Sequence, residues 1–240
     1  MLQLYIGNKN YSSWSLRPWV LLRQLGIAFE EMPVRFDSFA PDSHFKQTLL
    51  ALGPTGKVPL LVHDGLVVWD SLAITEYLAE QFPQAGIWPA PLADRARARS
   101  LCAEMHSGFT ALRTHCPMNV EARLPDVGAK IWSEQAGVRD DVYRLIDMWG
   151  QQLSTHGGPM LFGAFSAADA FFAPICLRLD RYALPLPQHI QPYVQRVLDL
   201  PALREWTTAA LEEKDFRDFE EPYRTASGML SAERNNVATP

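Results

Sequence analysis

"VPLLVHDGLVVWDSLAITEYLAEQF", residues 58–82, decides the fold. Two apolar runs flank His63-Asp64-Gly65, and an Asp-Gly pair between such runs is a hairpin signal. Asp70 and Ser71 then open an amphipathic helix over 71–82, which Pro83 ends. Pro59 removes a ladder donor at the start of the first run, so the backbone of Val58 is left exposed beside it.

Towards the N-terminus, "LQLYIGN" (2–8) is short, apolar and partly alternating, and reads as a strand. Apolar residues at 16, 19, 20, 21, 22 and 25 make a helical face that Gly26 closes. "AFEEMPVRF" (28–36) reads as a second strand, with Pro33 directing it to a sheet edge. A helix is expected around 43–52. The unit 1–82 is therefore β-α-β-α-β-β-α, a small α/β domain. In the other direction, 83–92 is rich in proline and reads as a linker. Beyond it the periodicity is helical only, over 93–116, 126–155, 167–182, 189–199 and 202–213. The expected second domain is all-α and spans 93–220, with a tail at 221–240 whose last part, 227–240, lacks periodicity.

Bulk properties narrow the function. Of 240 residues, 48% are hydrophobic and 20% charged, an ordinary globular balance. The net charge is -5 without a basic stripe, which argues against nucleic acid as a partner. No apolar run reaches the ~18 residues of a membrane helix. "MLQLYIGNKN" has no signal-peptide pattern, so a cytoplasmic protein is expected. Cys102, Cys116 and Cys176 are far apart and form no C-x-x-C pair, so neither a disulfide framework nor a metal site is expected.

Three segments carry chemistry. In "NKNYSSWSLRPW" (8–19), Pro18 belongs in a helix's first turn, which puts the helix start near Ser15 as N-cap. Ser12 and Ser13 then lie ahead of the helix's positive end, where an anion or a nascent thiolate is stabilised. "GPTGKVPLL" (53–61) is not a phosphate loop: Ala51 stands where glycine is needed and Val58 where a hydroxyl must hold magnesium. Ser71 at the start of its helix is positioned to take a carboxylate, besides any capping role. In "FSAADAFFAP" (165–174), Ser166 and Asp169 form a structural capping box.

Taken together, "SSWSLR", "GKVPLL", "DSLAITEYL" and "SAADAFFAP", in that order, resemble the cytosolic glutathione transferases, and their zeta-like branch most. The resemblance covers about residues 2–215 and implies a thioredoxin-like domain followed by a helical-bundle domain, in a homodimer. It implies that Ser12, with Ser13 beside it, holds the glutathione thiolate. Val58 before Pro59 would pair by backbone with the cysteinyl part. Asp70 and Ser71 would grip the γ-glutamyl end, and Lys57 and His44 would lie near the glycyl end. Tyr11, Trp14 and Arg181 would face the second substrate. Trp14 replaces the cysteine of the zeta motif, which removes a reactive thiol. Arg178 and Arg181, three apart on one helix, can each turn inward.

The expected activity is attack of a serine-stabilised glutathione thiolate on an electrophile, without a metal. Two alternatives are a glutathione-dependent cis-trans isomerase of a maleyl-type dicarboxylate, for which Arg181 would be the cation, and a non-catalytic binding protein of the same fold.

Overall fold

The computed structural model describes residues 1–226, so the aperiodic stretch 227–240 lies outside the described residues. A four-stranded sheet has the order β2-β1-β3-β4. In it, β1 (Leu2–Ile6) runs parallel to β2 (Glu30–Pro33) and antiparallel to β3 (Leu60–His63), which pairs with β4 (Leu66–Val68). Pro33 does sit on an edge strand, and the hairpin turns at Asp64 and Gly65. Both have positive φ, 49° and 88°, the geometry that a two-residue turn with the twist of its strands requires.

Helix α1 is Ser13–Gln24 with Ser12 as N-cap, three residues before the Ser15 cap that Pro18 suggested. Pro18 lies inside the helix and cannot donate to the Trp14 carbonyl. That costs ~3 kcal/mol. Leu16, Trp19, Val20, Leu21 and Leu22 are fully buried on the same helix, and each large side chain contributes ~1.5–3 kcal/mol. Packing therefore outweighs the missing bond. Helix α2 is His44–Leu50 and α3 is Ser71–Gln81.

The rest of the described chain is helical apart from its connections. The periodic stretch 93–116 is two helices, α4 (Leu92–Ser107) and α5 (Thr110–His115), broken at Gly108 and at Phe109, whose φ is 56°. The stretch 126–155 is likewise α6 (Pro125–Glu134) and α7 (Ala136–His156), parted by an extended Gln135. Then follow α8 (Ala167–Arg181), α9 (Gln191–Leu198), α10 (Pro201–Glu213) and a 3-10 turn at Asp218–Glu220. Among the described residues no helix is long and apolar enough to cross a membrane.

Helix α8 is the axis of the molecule, buried at every position but Asp180 and packed against α1, α4 and α9. Its start is fixed as the sequence suggested. The Ser166 hydroxyl accepts from Ala168 N at 3.3 Å, and Asp169 accepts from Ser166 N at 2.9 Å. Asp169 also accepts from Leu161 N and the Tyr193 hydroxyl, both at 3.2 Å. Helices α1 and α3 pack together, α1 against β1 and α3 against β3 and β4. A separate apolar cluster joins Tyr11, Val34 and Phe36 to Phe45 and Leu49 of α2. The start of α1 therefore faces the helical part of the chain, with α2 to one side.

Candidate functional site

A cavity of about 630 Å³ opens at the start of α1, where Tyr11, Ser12, Ser13 and Trp14 form one wall. Phe36, Phe39 and Phe45 supply an aromatic side, and Arg113, Met118 and Arg178 come from the helical region. Glu220 of the 3-10 turn completes it. A second cavity, about 330 Å³, lies between Lys57, Val58 and Pro59 on one side and Asp70, Ser71 and His106 on the other. Trp14, Lys57 and Val58 line both, so the two adjoin and form one groove.

Ser12 is 6% exposed and is the N-cap of α1, yet its side chain does not cap the helix. Its Oγ lies 2.7 Å from Ser15 Oγ, which accepts the Gly7 N–H at 3.2 Å. Ser13 Oγ accepts from Arg178 Nη2 at 3.4 Å. The Tyr11 hydroxyl is engaged elsewhere: it donates to Glu221 at 2.8 Å and accepts from Arg217 N at 3.1 Å. Burial pushes its pKa well above the ordinary phenol range.

Positive charge collects behind these serines. The Arg17 guanidinium is buried 4.1 Å from the Trp14 ring, and its Nε and Nη1 find no partner among the described residues. Burial, then the charges of Arg113 and Arg178, lower its pKa to about 9. Arg178 donates to the carbonyls of Cys116 at 2.8 Å and Pro174 at 3.2 Å, and burial lowers it to about 10. Arg113 stands 4.8 Å from the Trp14 ring. All three are cations at neutral pH, with no carboxylate paired to them among the described ion pairs.

In the second cavity the Val58–Pro59 bond is cis. Asp70 caps α3, with Oδ1 accepting from Leu72 N at 2.9 Å and Ala73 N at 3.2 Å. Its Oδ2 lies 3.3 Å from His106 Nε2. Ser71 Oγ and His106 Nδ1 are buried without a partner among the described residues. Burial lowers the His106 pKa, so the ring is neutral at pH 7. Buried polar atoms of this kind need a ligand or water to complete them.

Most of the expected site residues thus meet in the groove: Tyr11, Ser12, Ser13, Trp14, Lys57, Val58, Pro59, Asp70 and Ser71. Two do not. His44 is exposed, lines neither cavity, and touches Thr48 at 3.5 Å. Arg181 lines neither cavity, donating to the Val120 carbonyl at 2.8 Å and pairing with Asp180 at 2.6 Å. Arg178, about one turn earlier, faces the groove instead, because three residues along a helix turn a side chain to a neighbouring direction rather than the same one. His106, Arg113 and Glu220 carry no sequence signal, because no motif or spacing marks any of them.

The chain matches the family described as glutathione S-transferase, N-terminal domain, over residues 11–81, and the corresponding C-terminal domain over 119–209. It is 30% identical over 175 residues to glutathione S-transferase 1 of Dianthus caryophyllus, covering 72% of this chain and 75% of that protein. To the probable maleylacetoacetate isomerase of Caenorhabditis elegans it is 31% identical over 204 residues, covering 83% and 89%. A glutathione transferase homolog from Burkholderia gl BGR1, solved with bound glutathione, superposes with a TM-score of 0.64 at 26% identity, covering 88% and 98%.

Proposed function

Because the chain belongs to the glutathione S-transferase family, with a probable maleylacetoacetate isomerase among its relatives, we propose that it transfers glutathione to an electrophile by a serine-assisted mechanism. The observation that carries this reading is the two-part groove: two cavities that share Trp14, Lys57 and Val58, with Ser12 and Ser13 lining the larger one. Glutathione occupies the smaller cavity and the electrophile the larger. That a Burkholderia homolog was solved with bound glutathione supports the choice of glutathione as the thiol.

The γ-glutamyl end lies at Asp70 and Ser71, where the unpartnered Ser71 hydroxyl and the start of α3 accept its carboxylate. The cysteinyl part pairs with the backbone of Val58, and Lys57 is nearest the glycyl end. The sulfur lies at Ser12. In the structure the Ser12 hydroxyl donates to Ser15. When Ser12 turns its proton to the thiolate, Ser15 donates to Ser12 in exchange and still accepts from the Gly7 N–H, so the three form a chain of bonds ending at the sulfur. A free thiol of pKa ~8.5 is a few per cent ionised at pH 7, and lowering it two units takes ~2.7 kcal/mol. One bond to the charged sulfur supplies ~1.5–3 kcal/mol. The helix end and the Arg17, Arg113 and Arg178 charges supply the rest.

In this reading residues 1–82 form the glutathione domain, 83–92 the linker and 93–220 the electrophile domain, in a cytoplasmic homodimer. Light scattering should give about twice 27.0 kDa, and a monomer's mass would remove the dimer. Isomerisation of a maleyl-type dicarboxylate is the second reading, favoured by the cations Arg113 and Arg178 in the larger cavity. Turnover of chlorodinitrobenzene with glutathione, beside conversion of a maleyl dicarboxylate, separates the two. Absence of both, with no retention on immobilised glutathione, would leave a non-catalytic protein.

A further inference from the structure

Glu220 lines the larger cavity, yet its carboxylate takes no hydrogen bond and no ion pair among the described residues. We infer that Glu220 is an acid catalyst in that cavity, delivering a proton to a substrate whose activated carbon–carbon double bond has been attacked by the thiolate. This rests on the glutathione transferase reading and names its substrate class.

The residue is not carried on a loose end. Before it, Asp215 accepts from Asn8 at 2.6 Å and Arg35 at 2.8 Å, and the Arg217 N–H donates to the Tyr11 hydroxyl at 3.1 Å. After it, Glu221 accepts from the Tyr11 hydroxyl and Asn119, both at 2.8 Å, and from Arg224 at 2.6 Å. The Phe219 ring stands 5.3 Å from Phe39. Asp215, Arg217 and Glu221 thereby tie the segment to the fold on both sides of Glu220, which faces the cavity. A half-buried carboxyl on a backbone held this way, with no protein partner among the described residues, is free to act on what enters the cavity.

The other charged or titratable groups on the same cavity are Lys46 and Lys57 from the first half of the chain, Arg113 and Arg178 from α5 and α8, and Tyr11. Glu221 is adjacent in sequence, and its charge acts on Glu220. Burial first, then Glu221, pushes the Glu220 carboxyl up to about 7, so much of it holds its proton at neutral pH.

The chemistry asks for that proton. The thiolate forms a sulfur–carbon bond at the β-carbon of an α,β-unsaturated carbonyl, and the π pair moves through the α-carbon to the carbonyl oxygen as an enolate. Arg178 and Arg113 face that negative charge. Glu220 then gives its proton to the α-carbon, and its carboxylate is reprotonated from solvent, which balances the proton glutathione lost on ionising. The aromatic side formed by Phe36, Phe39 and Phe45 suits an aryl group conjugated to the double bond. Displacement of a halide needs no such proton.

The test compares benzylideneacetone, an aryl enone, with chlorodinitrobenzene, in wild type and Glu220→Gln. The enone kcat/KM should fall at least tenfold more than the aryl-halide value, within the 10²–10⁴-fold typical of a proton donor. Wild-type kcat/KM for the enone should decline as pH rises through about 7, where the acid form is lost, and Glu220→Gln should lack that decline. Glu220→Asp should restore it. Equal losses on both substrates, a decline that persists in Glu220→Gln, or wild-type turnover of the halide without the enone would each overturn the inference. Turnover of neither substrate would instead bring down the transferase reading, and this inference with it.

Discussion

Ser12 Oγ and Ser15 Oγ lie 2.7 Å apart, one turn along the same helix, and Ser15 also accepts the Gly7 N–H. The pair is shielded from water, Ser12 at 6% exposure and Ser15 at 0%. Ser12 donates to Ser15 in the structure, and once Ser12 turns to the sulfur Ser15 can donate to it in return; Ser15→Ala removes that support. A neutral bond of this kind contributes ~0.5–1.5 kcal/mol, so kcat/KM at pH 7 should fall about two- to tenfold, less than for Ser12→Ala. A gain in kcat/KM would mean that Ser15 restrains Ser12 rather than assisting it.

Ser71→Ala should raise the KM for glutathione about three- to tenfold and leave kcat nearly constant. The Ser71 hydroxyl is buried without a partner among the described residues, and it lines the smaller cavity, whereas Ser12 and Ser13 line the larger. Its contribution is therefore to ground state and transition state alike. Collapse of kcat at saturating glutathione, with the helical circular dichroism retained, would place Ser71 in the chemical step.

Arg17→Met should separate stability from thiolate formation. A buried unpaired guanidinium costs several kcal/mol of desolvation, and stacking on Trp14 returns only ~0.5–2 kcal/mol. Met fills much of the volume without the charge, so the urea midpoint should stay level or rise. The bound glutathione thiol should titrate at higher pH, because the cation stacked on Trp14, which lines both cavities, is gone. A lower midpoint with an unmoved thiol titration would make Arg17 a structural residue.

How far the sequence carried this account varied along the chain. Residues 58–82 were legible because turn chemistry, apolar alternation and a cap all agree there. The start of α1 was misplaced, since a rule about proline in helices ignores the tertiary packing that Leu16 to Leu22 supply. Gly108, a helix breaker by type, marks the first split, whereas the split at Gln135 is hidden because glutamine is no helix breaker. Arg178 and Arg181 shared one helix signal, and only the position of the Val120 carbonyl and Asp180 separates their roles. Glu220 lies in an irregular segment where no period exists to read.

The central claim is that Ser12 holds the glutathione thiolate. The direct measurement is the ultraviolet absorbance of the bound thiolate, titrated in wild type and Ser12→Ala. The account predicts a wild-type midpoint below 7 on the two-unit shift assumed above, roughly one unit or more higher in the mutant, each unit being ~1.4 kcal/mol. The same variant should lose at least about tenfold in kcat/KM at pH 7. An unchanged midpoint in Ser12→Ala, with the shift appearing in Ser13→Ala instead, would contradict it.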